Sequence, residues 1–175
     1  MSLYLGLVMK ERRLFNNTFN NGINRNFNAC VGSNGWQDLD TYAKGYDENV
    51  QLIVKALSTS NLDVTLDAII HPLVFSARHR IELFIKSHLR KIGLMRAELL
   101  ISDEKIIRTH DLGHLWAILE ERLSACDRRF SDFIDEVQEI IQDFAEIDPT
   151  GETFRYPYNK QNQRHLEQTP IINIG

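Results

Sequence analysis

Three short stretches hold the residues whose types and spacing suit chemistry. They are Arg80-Ile-Glu82-Leu-Phe-Ile-Lys86, Arg108-Thr-His110-Asp111-Leu-Gly-His114 and Phe154-Arg155-Tyr156-Pro157. A histidine titrates near neutral pH and can move a proton, and an arginine offers a permanent cation to anionic oxygen. Together they supply what metal-free cleavage of a phosphodiester requires. His110 and His114 are four apart and would share one helix face as metal ligands. However, His110 precedes the expected helix start, and no glutamate stands between the two in the H-E-x-x-H position, so no metal is expected. The chain has no phosphate-cradling glycine loop and no G-x-S-x-G, and no cofactor is expected either.

Each of these residues also has a structural reading. Asp111 or Thr109 can cap the free amides at a helix start, and His110 can tie the incoming loop to a neighbouring helix. Arg155, between two aromatics, can hold a phosphate or pack against an acid such as Asp148. Tyr156 and Tyr158 can stack on bases or cover a core edge. Arg78, Glu82 and Lys86 are four apart and read as a charged row along another face. Glu82 and Lys86 read first as an intrahelical pair worth a few tenths of a kcal/mol, with a polar inter-helix network as the alternative. His88 reads as a hydrogen-bonded core histidine.

The elements that must position these residues follow from periodicity. Leu39, Tyr42, Ala43, Tyr46, Val50, Ile53, Val54 and Leu57 step by three and four, which predicts a helix over 37–57 ending in Ser-Thr-Ser-Asn. Pro72 interrupts the apolar stretch 62–70, so a long helix is expected from there to about residue 91, stopped by Gly93. Its inward face would be Leu73, Ala77, Ile81, Phe84 and His88, with Val74 and Ile85 alongside. Residues 94–108 read as an irregular connection with a short extended piece at 98–102. A third helix starts near Asp111 with Leu112, Leu115, Trp116, Leu119 and Leu123 as its stripe. A fourth follows Ser131 as N-cap, carrying Phe133, Ile134, Val137, Ile140, Ile141 and Phe144. Asp148-Pro-Thr-Gly151 is a turn, and the remainder has no helical period. An all-α fold, an antiparallel four-helix bundle, is the economical architecture. Its divisions would be an arm and Asn-rich loop over 1–35, the bundle over 36–157, and a tail over 158–175 lying on the bundle.

Composition agrees with this. Glycine (9) and proline (4) are too sparse for a turn-rich β-sandwich, and the formal net charge of −4 excludes a globally basic nucleic-acid binder. The charge is uneven: over 78–108, Arg78, Arg80, Lys86, Arg90, Lys91, Arg96, Lys105 and Arg108 face only Glu82, Glu98, Asp103 and Glu104. That segment suits RNA or an acidic partner. Cys30 and Cys126 have no metal-ligand spacing and fit a reducing compartment. The apolar run 1–9 is too short to span a membrane, and its basic residues Lys10, Arg12 and Arg13 follow it rather than precede it. It is expected to form a strand or short helix on the domain, and the protein to be cytoplasmic with no membrane contact. Eight asparagines and two glycines between Asn16 and Asn34 predict a loop or arm.

The Glu82/Lys86 helix, the Thr109-His110-Asp111-Leu112-x-x-Leu115 helix start, the Glu146-Ile-Asp148-Pro149 turn and Phe154-Arg155-Tyr156-Pro157 occur in an order that resembles the HEPN superfamily of helical bundles, over residues 37–157. The resemblance implies one of two functions. One is a metal-independent ribonuclease of a prokaryotic toxin–antitoxin or antiviral defence system, acting as a homodimer with an Arg-x(4–6)-His pair from each protomer. The other is a non-catalytic module that binds a nucleotide or a protein, such as an antitoxin or a nucleotidyltransferase. Arg108 and His114, with five residues between them, match the nuclease pair as candidate catalytic residues. With 13 Arg and 6 His in the chain, about one such pair arises by chance, so the spacing alone carries no weight. His110, Asp111, Arg155 and Tyr156 are the candidate nucleotide- or RNA-binding residues.

Overall fold

The computed structural model describes residues 26, 29–32, 34–35, 37–59 and 63–173. The apolar run over 1–9 and most of the Asn-rich stretch lie outside the described residues. By contact the chain divides after Trp36, and the unit that begins at Gln37 carries the elements below.

Helix α1 spans Leu39–Thr59. Asp38 starts it: its carboxylate accepts from the Thr41 backbone N–H and from the Thr41 hydroxyl, both at 2.9 Å. These bonds, the backbone one foremost, hold the Asp38 carboxyl below its usual range. No α1 side chain is fully buried, because the helix lies on α2 alone among the long helices it packs against. Tyr46 meets His79 and Phe75 of α2 edge-on, and Asn49 Nδ2 donates to Ser76 Oγ at 3.0 Å. Arg80–Asp47 and Lys91–Asp40 ion pairs stitch the two helices at the surface, where such pairs contribute little.

Helix α2 spans Asp63–Met95 and passes through Pro72 without ending. The sequence expectation of a helix beginning at the proline is thus corrected. Pro72 removes a single i→i−4 bond, and both Pro72 and Ala68, whose carbonyl loses its donor, are exposed. Water can take that carbonyl, and the rest of a 33-residue helix keeps its ladder. Gly93 does not stop the helix either. It is buried within it, and a Cβ there would lie 2.7 Å from Leu100 Cδ1 and 3.1 Å from Leu100 Cα. The glycine lets the next segment cross close over α2.

The inward face of α2 also differs from the expected one. Leu73, Leu83, Ile85, Leu89 and Ile92 are buried, together with Ser76, Ser87 and the charged Arg78, Glu82 and Lys86. Phe84 is exposed; Ala77, Ile81 and His88 are half-buried. His88 stacks on Phe84 and its Nδ1 donates to the Phe84 carbonyl at 2.8 Å. The reason is packing on two sides. With α1 on one flank and α4 on another, α2 has no single apolar stripe for a periodicity reading to find.

After α2 come a 3-10 turn at Ala97–Leu99 and a short helix α3, Asp103–Ile107, in place of the extended piece expected there. The fully buried Ile106 anchors α3 to the core. Helix α4, Leu112–Cys126, buries Leu112, Leu115, Trp116, Leu119 and Leu123, the stripe its spacing predicts. A 3-10 turn at Arg128–Phe130 leads into α5, Ser131–Ile147. Ser131 is not the cap. Asp127 begins the turn by accepting from the Arg129 backbone N–H at 2.9 Å, and α5 continues from it without a side-chain cap of its own.

The core gathers Ile85, Leu89 and Ile92 of α2, Ile106 of α3, the α4 stripe, and Ile134 and Ile141 of α5. The fold is an all-α bundle; among the described residues the only β-pairing is the single bridge Tyr158–Arg164. Among them, no helix is long and apolar enough to cross a membrane. Neither Cys30 nor Cys126 is in a disulfide.

Candidate nucleotide and nucleic-acid interface

The charged row of α2 is buried. Glu82 Oε1 accepts from Lys86 Nζ at 2.7 Å and from His110 Nδ1 at 3.0 Å, and Oε2 accepts from Arg78 Nη1 at 2.9 Å. Arg78 then reaches two further segments. Its Nη2 donates to the His110 carbonyl at 2.6 Å and its Nε to the Asp148 carbonyl at 3.1 Å. Asp148 Oδ2 faces the same Nε at 3.1 Å as a charge contact without hydrogen-bond alignment, while Oδ1 accepts from the Thr153 N–H at 3.0 Å. Lys86 also donates to the Ile107 carbonyl at 3.1 Å. Arg78 and Asp148 are 1% and 0% exposed. The row is therefore a buried network that ties α2 to the α3–α4 connection and to the turn after α5. Glu82 and Lys86 do form the intrahelical pair, but as part of the inter-helix network that was the alternative reading, and buried. Two cations and two carboxylates balance there, which is what permits charge in a core.

The turn 148–151 is shaped around the guanidinium. Gly151 is buried with φ +77°, and a Cβ there would sit 3.1 Å from Arg78 Nη1 and 3.3 Å from Cζ. Only glycine takes that backbone without strain and leaves room for Arg78.

The network sets a pH dependence. Burial alone would push the Glu82 carboxyl up. The hydrogen bond and charge of Lys86, with Arg78 and His110, outweigh it and hold the group below its usual value. His79, between Tyr46 and Phe75, is pushed down, by burial foremost. Both groups bind fewer protons folded than unfolded, so stability is full above the ordinary values and falls on acidification. Urea midpoints measured from pH 8 to pH 3 are expected to fall first below about pH 6.5, as His79 titrates in the unfolded chain, and more steeply below about pH 4.5 as Glu82 does. His79→Phe is expected to remove the first step and leave the second.

The sequence-singled residues divide between this network and the surface. His110 gives its side chain to Glu82 and its carbonyl to Arg78. Asp111 caps α4, Oδ1 accepting from the His114 N–H at 2.9 Å, and Thr109 Oγ1 accepts from the Asp111 N–H at 3.2 Å. Arg108, at the end of α3, is 78% exposed and pairs with Glu104 at 2.8 Å; His114 lies exposed in the first turn of α4. Arg108 and His114 stand at the two ends of the short connection between α3 and α4.

Arg155 and Tyr156 lie elsewhere, in a cleft of 810 Å³ between the N-terminal half of α2 and the segment after α5. Leu66, Ile70 and His71 form its α2 wall, and Phe154 to Pro157 with Arg164 and His165 form the other. Arg155 is fixed, not trailing. Its Nε donates to the Gly151 carbonyl at 2.6 Å, and its guanidinium lies 5.6 Å from the Tyr156 ring centre and 5.7 Å from that of Phe75. Asp148 is not its partner; that acid belongs to Arg78. Phe154 is the buried end of that wall, its ring centre 6.5 Å from that of His71.

The far wall is a built loop rather than a loose tail. Asn159 Oδ1 accepts from the N–H groups of Gln161 and Gln163, Asn162 takes φ +61°, and the Tyr158–Arg164 bridge closes the turn. The His165 N–H then returns to the Pro157 carbonyl at 3.0 Å. His165 Nε2 is buried with no hydrogen-bond partner among the described residues. Leu166 follows at φ +58°, a strained conformation for a branched side chain. Arg164 and His165 carried no signal as site residues because their spacing matches no motif. The stretch Asn159-Lys-Gln-Asn162, two asparagines suited to a turn, is a signal from which the loop could have been read.

The structure thus joins Arg155 and Tyr156 to Arg164, His165 and His71 in one cleft. It places His110 and Asp111 in a scaffold and leaves Arg108 and His114 in solvent. The cleft offers the cations Arg155 and Arg164 and the half-exposed Tyr156 ring, a set suited to a phosphate joined to a flat ring, with the carboxylates of Asp67 and Glu167 also in its lining. Comparison with family models, with curated proteins and with solved structures finds no match for this chain.

Proposed function

We propose that this chain is an HEPN-like module, its helices in the antiparallel four-helix arrangement of that superfamily, that binds a nucleotide or a short single-stranded RNA segment in the cleft beside Arg155. The observation that carries the reading is the fixed Arg155 guanidinium with the Tyr156 ring, 55% exposed, next to it in an 810 Å³ cleft. A guanidinium meets phosphate oxygens in paired geometry and an exposed ring stacks on a base. The likeness gains support from one further point. Glu82, Lys86, His110 and Asp148, drawn from three of the segments that carry the resemblance, meet in one network.

A metal-independent ribonuclease is the second reading. Its support is that Arg108 and His114 both reach solvent at the two ends of one connection, where a second protomer of a homodimer or an RNA strand can approach.

One experiment separates the two. A labelled oligoribonucleotide and ATP are titrated in EDTA by anisotropy and by melting shift, and the RNA is run on a gel afterwards. The module reading expects binding with intact RNA, weakened about tenfold or more by Arg155→Ala and by Tyr156→Ala and weakening with salt. Cleavage abolished by both Arg108→Ala and His114→Ala would establish the nuclease. No binding of either probe sinks the module.

A further inference from the structure

We infer that the outer face of α5 is a docking surface for a basic amphipathic helix of a partner protein. Phe133, Val137, Ile140, Phe144 and Ile147 recur at steps of 4, 3, 4 and 3 residues, the spacing of a coiled-coil seam. One edge of this seam also helps to hold α5: Val137 and Phe144 pack against the core, and Phe133 lies 6.4 Å from Trp116. Ile134 and Ile141, each one residue further on, are the buried contacts to the core. The seam runs along the edge of that contact: Val137 and Phe144 are half-buried, while Phe133, Ile140 and Ile147 are 36%, 52% and 37% exposed. Its 15 residues rise about 21 Å, room for two heptads of a second helix.

Charge identifies the occupant. Asp132, Asp135, Glu136, Glu139, Asp143 and Glu146 are all exposed, α5 contains no lysine or arginine, and none of the six has an ion-pair partner among the described residues. Glu136 and Asp143 flank the seam where a packed helix places its own charged side chains. A second copy meeting seam to seam would set these carboxylates against their equals. A helix with leucine-like residues at its seam and lysine or arginine beside it satisfies both the apolar row and the acidic flank.

The test uses the full chain and two labelled 21-residue synthetic helices with leucine at the seam, one with lysine and one with glutamate at the flanking positions. Anisotropy is expected to show binding of the lysine peptide that weakens with salt, and at least tenfold weaker binding of the glutamate peptide. Ile140→Asp, and separately the Glu136→Lys/Asp143→Lys pair, should each reduce affinity for the lysine peptide at least tenfold with unchanged urea midpoints, since all three positions are exposed. Leu52→Asp on the exposed side of α1 should change it less than twofold. Equal binding of both peptides, or an Ile140→Asp chain that binds as wild type, overturns the proposal. So does a wild-type dimer in sedimentation that Ile140→Asp splits, which would give the seam to a second copy.

Discussion

Glu82→Gln is expected to destabilise the protein by about 3–5 kcal/mol, read as a lower urea midpoint at unchanged slope. The size follows from what converges on the carboxylate. Lys86, His110 and Arg78 each direct a donor at it, from 2.7 to 3.0 Å. An amide keeps the shape, but it turns an NH2 group toward at least one of these donors. It also leaves Arg78 and Lys86 as two buried cations against Asp148 alone. A buried cation without its counter-charge costs far more than the pair contributes when intact. Were the row on the surface, the same change would cost less than about 1 kcal/mol. The measurement therefore decides between the two placements of the row. Arg80→Gln is the control, since its pair with Asp47 is half-exposed and its loss should stay within a few tenths of a kcal/mol.

Gly151→Ala is the second large effect, expected at about 2–3 kcal/mol. Alanine at φ +77° costs about 1–2 kcal/mol in backbone strain. The new methyl then presses on the Arg78 guanidinium at 3.1–3.3 Å. A free arginine would swing aside, but this one is held by Glu82 and by two main-chain carbonyls. Some of its bonds must lengthen, and overpacking of a fixed neighbour adds about 1 kcal/mol or more. The Gly151 carbonyl also holds Arg155 Nε at 2.6 Å, so the shifted turn should weaken ligand binding in the cleft several-fold. Gly45→Ala makes the contrast clear. Gly45 lies inside α1 with nothing within 4 Å of an added Cβ, and there the same substitution should stabilise by about 0.5–1 kcal/mol. Urea titration of the two variants should give opposite signs.

The α2 errors in the sequence reading share a cause. Periodicity locates a helix that buries one stripe, as in α4, where all five expected residues are buried. It misplaces the face of a helix covered on two sides, and so it assigned Phe84 to the core and set Arg78, Glu82 and Lys86 on a face apart from it. Proline and glycine rules misled for a related reason. They describe an isolated helix, whereas Pro72 sits where water serves the freed carbonyl and Gly93 sits where Leu100 crosses. Local polar chemistry transferred better. Asp111 as a cap, His110 as a tie to a neighbouring helix and the turn at Asp148 all follow from interactions within a few residues, or from one short reach.

The sequence by itself determined that this is a helical chain, where α1, α4 and α5 lie to within a few residues, and which residue types could meet phosphate. Propensity, apolar spacing and caps act over one or two turns, and one turn of sequence contains them. The tertiary structure alone decided that a charged row lies in the core and that Arg155 and Tyr156 share a cleft with Arg164 and His165 while Arg108 and His114 do not. Those outcomes depend on segments up to 70 residues apart competing for the same partners. Arg78 could have stayed in water; in the fold it takes Glu82, the His110 carbonyl and Asp148 together, and Gly151 leaves room for it.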